Sequence, residues 1–223
     1  MQKKTAIVYV DALNLYYGSL RDTPYKWLNL EALFDRLLPD FHVKKIYFFS
    51  ADLKGKFNPA DPSAPDRQKA YFKALEALSR VQMVRGSFTR QPAEQLLRLR
   101  GDSKFSNFLK AKLRSVTASV WKIEEKGADV SMGAYLTRDA VLNRADLFLL
   151  VTRDSDLAGT VEMLRKEFQA PIGICFPGNS RSGALMKAGV VMELYISNGA
   201  LEESQLPNPV KIGDSEICKP EIW

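Results

Sequence analysis

The stretch LFLLVTRDSDL, residues 147–157, decides how the chain is read. Leu147 to Val151 is a continuous apolar run without the alternation of a strand that keeps one wet face, so it suits a strand buried on both sides of a parallel sheet. It then runs into Asp154 and Asp156. Two carboxylates held about 4 Å apart repel by roughly 4 kcal/mol at a protein-like effective dielectric. Either solvent screens the pair in a surface turn, where it caps a helix, or the fold converges several acids and neutralises them with protons or a cation. What separates the two is whether other acids arrive at the same place.

Working outward, the runs TAIVYVDA (5–12), VKKIYFFSA (43–51), VQMVRGSF (81–88) and PIGICF (171–176) share the apolar, β-branched character of the first. Between them lie helical patterns: LNLEALFDRLLP (28–39), DRQKAYFKALEALSR (66–80), DVSMGAYLTRDAVLNRA (129–145) and SDLAGTVEMLRKEF (155–168). Alternating strand and helix predict right-handed crossovers and a three-layer, Rossmann-like α/β domain around a central, mostly parallel sheet. Pro and Gly mark the joints at NPADPSAP (58–65) and PGNSRSG (177–183). Residues 1–200 are expected to form one domain, with 201–223 a C-terminal tail packed on it.

In such a sheet, ligands bind beyond the carboxyl ends of the strands. Asp11 closes the first strand, Asp154 follows a later one, Asp129 opens a helix just after a Gly, and Asp156 lies one turn into the next helix. An all-oxygen set of this kind suits Mg²⁺ or Mn²⁺ better than zinc. Asn14, one helical turn beyond Asp11, can hydrogen-bond a carboxylate or a phosphate without adding charge, or simply start a helix. Thr152 and Ser155 flank the acids as orienting hydroxyls or as caps.

Composition bounds the rest. The 223 residues are 46% hydrophobic, enough for one well-filled core. No apolar run approaches the length of a membrane span, and AIVYV is too short for a signal peptide, so a cytoplasmic protein with no membrane partner is expected. Cys175 and Cys218 form no paired motif, which disfavours a disulfide framework or a structural zinc. Net charge is +6, and seven basic residues (Arg90, Arg98, Arg100, Lys104, Lys110, Lys112, Arg114) against Glu94 and Asp102 place +5 of it in a basic insert at about 90–114. With Phe105 and Phe108 interleaved, this segment reads either as an RNA-contacting surface, with phosphate contacts and stacking rings, or as an amphipathic helix with a solvated basic face. The glycine-bounded GNSRSG lacks the lysine and spacing of a nucleotide fingerprint.

Four motifs in order, VYVDALNLYYG, RQKAYFKAL, EEKGADVSMGAYL and LLVTRDSDL, resemble the NYN family of PIN-like nuclease domains over roughly residues 5–195. The resemblance implies a PIN-like sheet and a metal-dependent endoribonuclease. Asp11, Asp129, Asp154 and Asp156 would ligate Mg²⁺ or Mn²⁺, with Asn14 beside them as a catalytic residue. Bound metal would neutralise the scissile phosphate and activate water, leaving a 5′-phosphate. Arg67, in DRQKAY, and Arg153 join the basic insert as RNA-binding candidates. The lone histidine, His42, excludes a two-histidine cyclising nuclease and reads as structural.

The chain departs from the family pattern at three points. Tyr135 replaces an acid six residues after Asp129, Arg153 replaces a Gly, and Gly189 stands where an acid is common. These departures leave open a second reading, a catalytically weakened RNA-binding or regulatory module of the same fold. A phosphatase using Asp11 as nucleophile would need an acid at position 13, which is Leu13. A homo-oligomer or a protein partner stays open.

Overall fold

In the computed structural model, which describes residues 3–55, 61–96 and 117–223, the apolar runs become the strands of a seven-stranded sheet. Its strands are β1 (Lys4–Asp11), β2 (Phe41–Ala51), β3 (Val81–Leu96), β4 (Thr117–Lys126), β5 (Leu147–Val151), β6 (Ile172–Phe176) and β7 (Met192–Tyr195). They lie in the order β4-β3-β2-β1-β5-β6-β7. Every neighbouring pair is parallel except β3–β4. The chain builds outward from β1 in one direction and then from β5 in the other, so the order reverses between β1 and β5. Past the carboxyl ends of those two strands the helices diverge to opposite faces, which leaves the crevice where ligands bind in sheets of this class.

Alternation along β1 feeds two cores. Ala6, Val8 and Val10 face one side, packing with α1 (Ala12–Leu15), α2 (Leu30–Leu37), α3 (Ala64–Glu76) and the C-terminal residues Leu201, Leu206 and Val210. Ile7 and Tyr9 face the other, against α4 (Ala128–Val141), α5 (Ala158–Phe168) and α6 (Gly183–Lys187). The three-layer α/β architecture expected from the alternating pattern is therefore observed. Among the described residues, no helix is long and apolar enough to cross a membrane.

Two elements differ from the sequence reading. The third strand does not stop near Phe88. It continues to Leu96 and folds back as an antiparallel arm with β4, from Ser87↔Lys126 to Leu96↔Thr117. Residues 90–96 are thus strand rather than helix. The arm is wet on both faces along most of its length, so TASVWKIEEK carries none of the unbroken apolar signal that marks the inner strands. The short β7 was missed for a similar reason, since its residues are only partly buried at the sheet edge. Past residue 201 the chain forms an antiparallel hairpin of β8 (Val210–Ile212) and β9 (Ser215–Ile217), and Trp223 packs against Trp27 and Tyr71 with ring centroids 6.5 and 5.8 Å apart.

A buried charge sits behind the sheet. Asp139 on α4 is fully enclosed. Its carboxylate accepts from the Tyr9 hydroxyl at 2.9 Å, from Arg138 Nε at 2.8 Å and from an Arg144 guanidinium nitrogen at 3.0 Å. Burial and this acceptor hold the Tyr9 phenol well above its ordinary range, so it stays a donor. Removing the carboxylate strands a buried hydroxyl, at a cost of about 1–3 kcal/mol for the unsatisfied group. We expect Asp139→Ala to lower the urea unfolding free energy by at least that amount, and adding Tyr9→Phe in the same chain to recover part of it. A double variant no more stable than the single would refute the assignment.

Candidate active site

At the carboxyl edge of β1 the chain turns straight into α1, and Asp11 caps the turn. The residue is 6% exposed, and both its oxygens are taken by protein donors. Oδ1 accepts from the Asn14 backbone N–H at 2.9 Å, while Oδ2 accepts from the Asn14 side-chain amide and from Thr152 Oγ1 at 3.1 Å. Asn14 Oδ1 accepts in turn from the Arg153 backbone N–H at 3.3 Å, and Thr152 Oγ1 accepts from the Asp154 N–H at 3.0 Å. Asp154 Oδ1 accepts from the Asp156 N–H at 2.9 Å, which starts the short helical turn Ser155–Leu157 leading into α5. Asp156 and Ser155 face solvent. Asp154 thus caps the turn that leads into α5.

Asp129, on the first turn of α4, senses the same crevice. Partial loss of solvent, then the charges of Asp11, Asp154 and Asp156, raise its carboxyl. Asp11 is raised by burial, with Asp154 adding to the effect. An acid not anticipated from the sequence joins them. Glu125, at the end of β4, has a buried Oε1 with no hydrogen-bond partner, and burial followed by the charges of Asp11 and Asp129 pushes it up to about 7. The one available signal was the EEK segment just before Asp129, which entered the sequence reading only as part of the motif EEKGADVSMGAYL.

The expected metal centre is corrected on this geometry. Asp11, Asp129, Asp154 and Asp156 gather at one edge, yet among the described residues no group of three acid, histidine or cysteine side chains is arranged to share a cation. The positions where family acids are missing have other duties. Tyr135 packs edge-on against Tyr47 and Phe49 at 4.9 and 5.7 Å, with the Arg138 guanidinium 4.5 Å from its ring centroid. Gly189 has φ +85°, a conformation an acidic side chain would strain to adopt.

Three of the basic candidates lie among the described residues. Arg90 stacks on Trp121 at 4.0 Å on the β3–β4 arm, Arg153 donates to Ser180 Oγ at 2.6 Å, and Arg67 lies on α3. Arg98, Arg100, Lys104, Lys110, Lys112 and Arg114, with Phe105 and Phe108, lie outside the described residues. His42 is exposed near the amino end of β2, far along the strand from the crevice. Cys175 is buried and its thiol is pushed up to about 12 by burial, which leaves it inert.

Sequence reasoning missed a cavity beside Asp11. About 200 Å³ in volume, it lies between α1, the following π-helical turn Tyr16–Leu20, β2 and α3. Its walls are rings: Tyr16, Tyr17, Phe48, Tyr71, Phe72 and Trp223. Arg67 and Lys26 also line it. Tyr71 is held in place by donating its hydroxyl to the Leu28 carbonyl at 2.9 Å. The π-helical turn is clamped from the other strand bundle, where Gly178 N–H donates to Ser19 Oγ at 2.9 Å. Gly178 sits so close that a Cβ there would collide with the Gly18 carbonyl oxygen.

No known protein-family model matches the chain. It is similar to 6-hydroxy-3-succinoylpyridine 3-monooxygenase HspA of Pseudomonas putida (strain DSM 28022 / S16), 29% identical over 238 aligned residues that span 97% of this chain and 74% of the relative. Among solved structures, a protein of unknown function from Vibrio parahaemolyticus RIMD 2210633, VPA0982, shares the fold with a TM-score of 0.55 at 15% identity, covering 92% of this chain and 100% of that one. The monooxygenase likeness overturns the expected ribonuclease and the Mg²⁺ or Mn²⁺ cofactor. It points to oxidoreduction rather than phosphodiester hydrolysis.

The raised Glu125 sets a measurable pH dependence. Its ordinary value is 4.5, and the folded protein holds the proton up to about 7, so this residue withdraws stability as pH rises through that window. The urea midpoint of wild type minus that of Glu125→Gln should therefore fall between about pH 4.5 and about pH 7. A flat difference would show that the carboxyl is not buried beside Asp11 and Asp129.

Proposed function

We propose that this protein is an oxidoreductase of the monooxygenase type acting on a small ring compound. The observation that carries the reading is the likeness to HspA along nearly the whole chain. The ring-lined cavity beside the switch-point crevice supports it, because aromatic walls exclude water and offer faces for stacking a planar substrate. HspA is named for a heteroaromatic ring carrying a succinoyl chain, and one ring with a short side chain suits a cavity of about 200 Å³.

Monooxygenation places one atom of O₂ on the substrate and reduces the other to water, consuming two electrons and two protons. A two-electron donor and an oxygen-activating group are therefore required, and a flavin is one such group. Pockets for larger ligands span roughly 300–1,000 Å³. The tricyclic ring of a flavin with its phosphorylated arm does not fit this cavity, so we assign the cavity to substrate. The residues lining it bind and orient the ring: Phe48 and Tyr71 stand edge to face at 6.5 Å, and Trp223 packs on Tyr71 from the C-terminal side. The likeness to NYN domains enters this proposal as a likeness of scaffold, with Asp11 and Asp154 serving the crevice as caps.

The test is turnover of 6-hydroxy-3-succinoylpyridine by the purified protein with a reduced nicotinamide donor, with and without added flavin, under ¹⁸O₂. The reading expects substrate-dependent oxidation of the donor and one labelled oxygen atom in the product. An unlabelled product, its new oxygen drawn from water, or donor oxidation indifferent to substrate, would refute it.

A further inference from the structure

Most polar side chains in the wall of the ring-lined cavity are already engaged. Gln68 spends both ends of its amide on the backbone: Nε2 donates to the Ala51 carbonyl at 3.1 Å, and Oε1 accepts from the Leu53 N–H at 2.8 Å. Arg67 is tied to Asp61 and to Ser63 Oγ at 2.6 Å. Lys26 Nζ donates to the Thr23 carbonyl at 2.5 Å, with the charge of Asp22 acting on it. Tyr71 gives its hydroxyl to the Leu28 carbonyl, so it offers the cavity a ring alone. The charged groups are thus answered from within the chain, and nothing in the wall asks for an ion.

Ser50 is different. Alternation along β2 sends Phe48 to the α3 side of the sheet and Tyr47 and Phe49 to the other, so Ser50 shares the face of Phe48, and both line the cavity. Ser50 is 2% exposed, and among the described residues its Oγ makes no hydrogen bond. Nor is that oxygen sealed in. The enclosed, partnerless side-chain atoms among the described residues are Arg67 Nε, Glu125 Oε1, Ser204 Oγ and Gln205 Oε1. Ser50 Oγ therefore keeps surface of its own, and the space on its face of β2 is the cavity. The Tyr16 and Tyr17 phenols also lack partners among the described residues, but Tyr17 is 58% exposed and Tyr16 half-buried, so solvent serves them.

A buried hydroxyl with nothing to bond costs stability, and such groups are ordinarily satisfied. Serine offers one O–H donor and two acceptor lone pairs, which a ring hydroxyl matches by donating to it or accepting from it. The rings around it take the rest of such a ligand. Phe48 stands edge to face with Phe72 at 6.0 Å and with Tyr71 at 6.5 Å, an arrangement that packs a further flat π-system well. A ring hydroxyl buried among them without Ser50 would be left unpaired.

We propose that Ser50 is the specificity-determining residue of this cavity, hydrogen-bonding the hydroxyl of a neutral, hydroxyl-bearing aromatic ring seated among Phe48, Tyr71 and Phe72. The proposal deepens the monooxygenase reading and rests on it for the role of the cavity as a substrate site.

Isothermal titration of the purified full chain with phenol and toluene, with no electron donor present, tests this. The readout is the ratio of the two affinities, because the cost of drying phenol's hydroxyl is the same for every variant. Ser50→Ala removes one oxygen that has no hydrogen bond within the chain to lose, so the fold should tolerate it. It should lower the phenol-to-toluene ratio about fivefold and leave toluene as tight as before. Ser50→Thr, which keeps the hydroxyl, should keep most of the ratio. A ratio unmoved by Ser50→Ala, as a hydroxyl serving water alone would give, or no binding of either ring, would overturn the proposal. Loss of the preference in Ser50→Thr with toluene binding intact would overturn it too. A Ser50-dependent preference without hydroxylation of 6-hydroxy-3-succinoylpyridine would sink the monooxygenase reading and leave this ligand assignment standing. Hydroxylation whose KM is unmoved by Ser50→Ala would do the reverse.

Discussion

The carboxylate of Asp11 is the constraint on which the crevice depends. It ends β1, receives the first free amide of α1, and accepts from Thr152 at the exit of β5, so one side chain fastens both strands of the switch point to the helix that follows. Water is nearly absent there, and burial raises the cost of keeping the group ionised. Three protein donors offset that cost. Because α1 is only one turn long and runs directly into the π-helical turn, the direction Asp11 gives the chain is also the direction in which Tyr16 and Tyr17 meet the cavity.

The two faces of the sheet handle charge differently. Behind α4, Asp139 is enclosed but fully answered by Tyr9, Arg138 and Arg144, whose own charges reach solvent. That is the signature of a closed structural network. On the α3 side, Arg67 ties its terminal nitrogens to Ser63 and Asp61 at the cavity wall, and burial lowers the Lys26 ammonium while Asp22 partly offsets the effect.

Most of the fold was legible because the inner strands are buried on both faces and therefore write unbroken apolar runs, as in AIVYV and LFLLV. The arm was not, because β4 is wet and its residues obey no core. The location of the acids was legible too, since a residue at a strand's carboxyl end has few places to go. Their duty was not. Whether Asp154 holds a cation or a backbone N–H depends on an approach of a few tenths of an ångström, and sequence spacing does not encode it. The cavity was invisible for another reason: Lys26, Arg67 and Trp223 come from a loop, a helix and the far end of the chain, and only packing brings them together.

One scaffold hosts unrelated chemistries, so function has to be argued from the site. Tyr135 fills the place of an acid with a ring that packs on Tyr47 and Phe49, and Gly189 fills another with a backbone conformation that admits no side chain comfortably. At the edge stand carboxyls that burial raises, Glu125 being pushed up to about 7, near a cavity walled by rings and lined by Lys26 and Arg67. Concentrated negative charge suits the grip on a divalent ion. Raised carboxyls beside a pocket walled by rings suit the handling of protons next to a planar group.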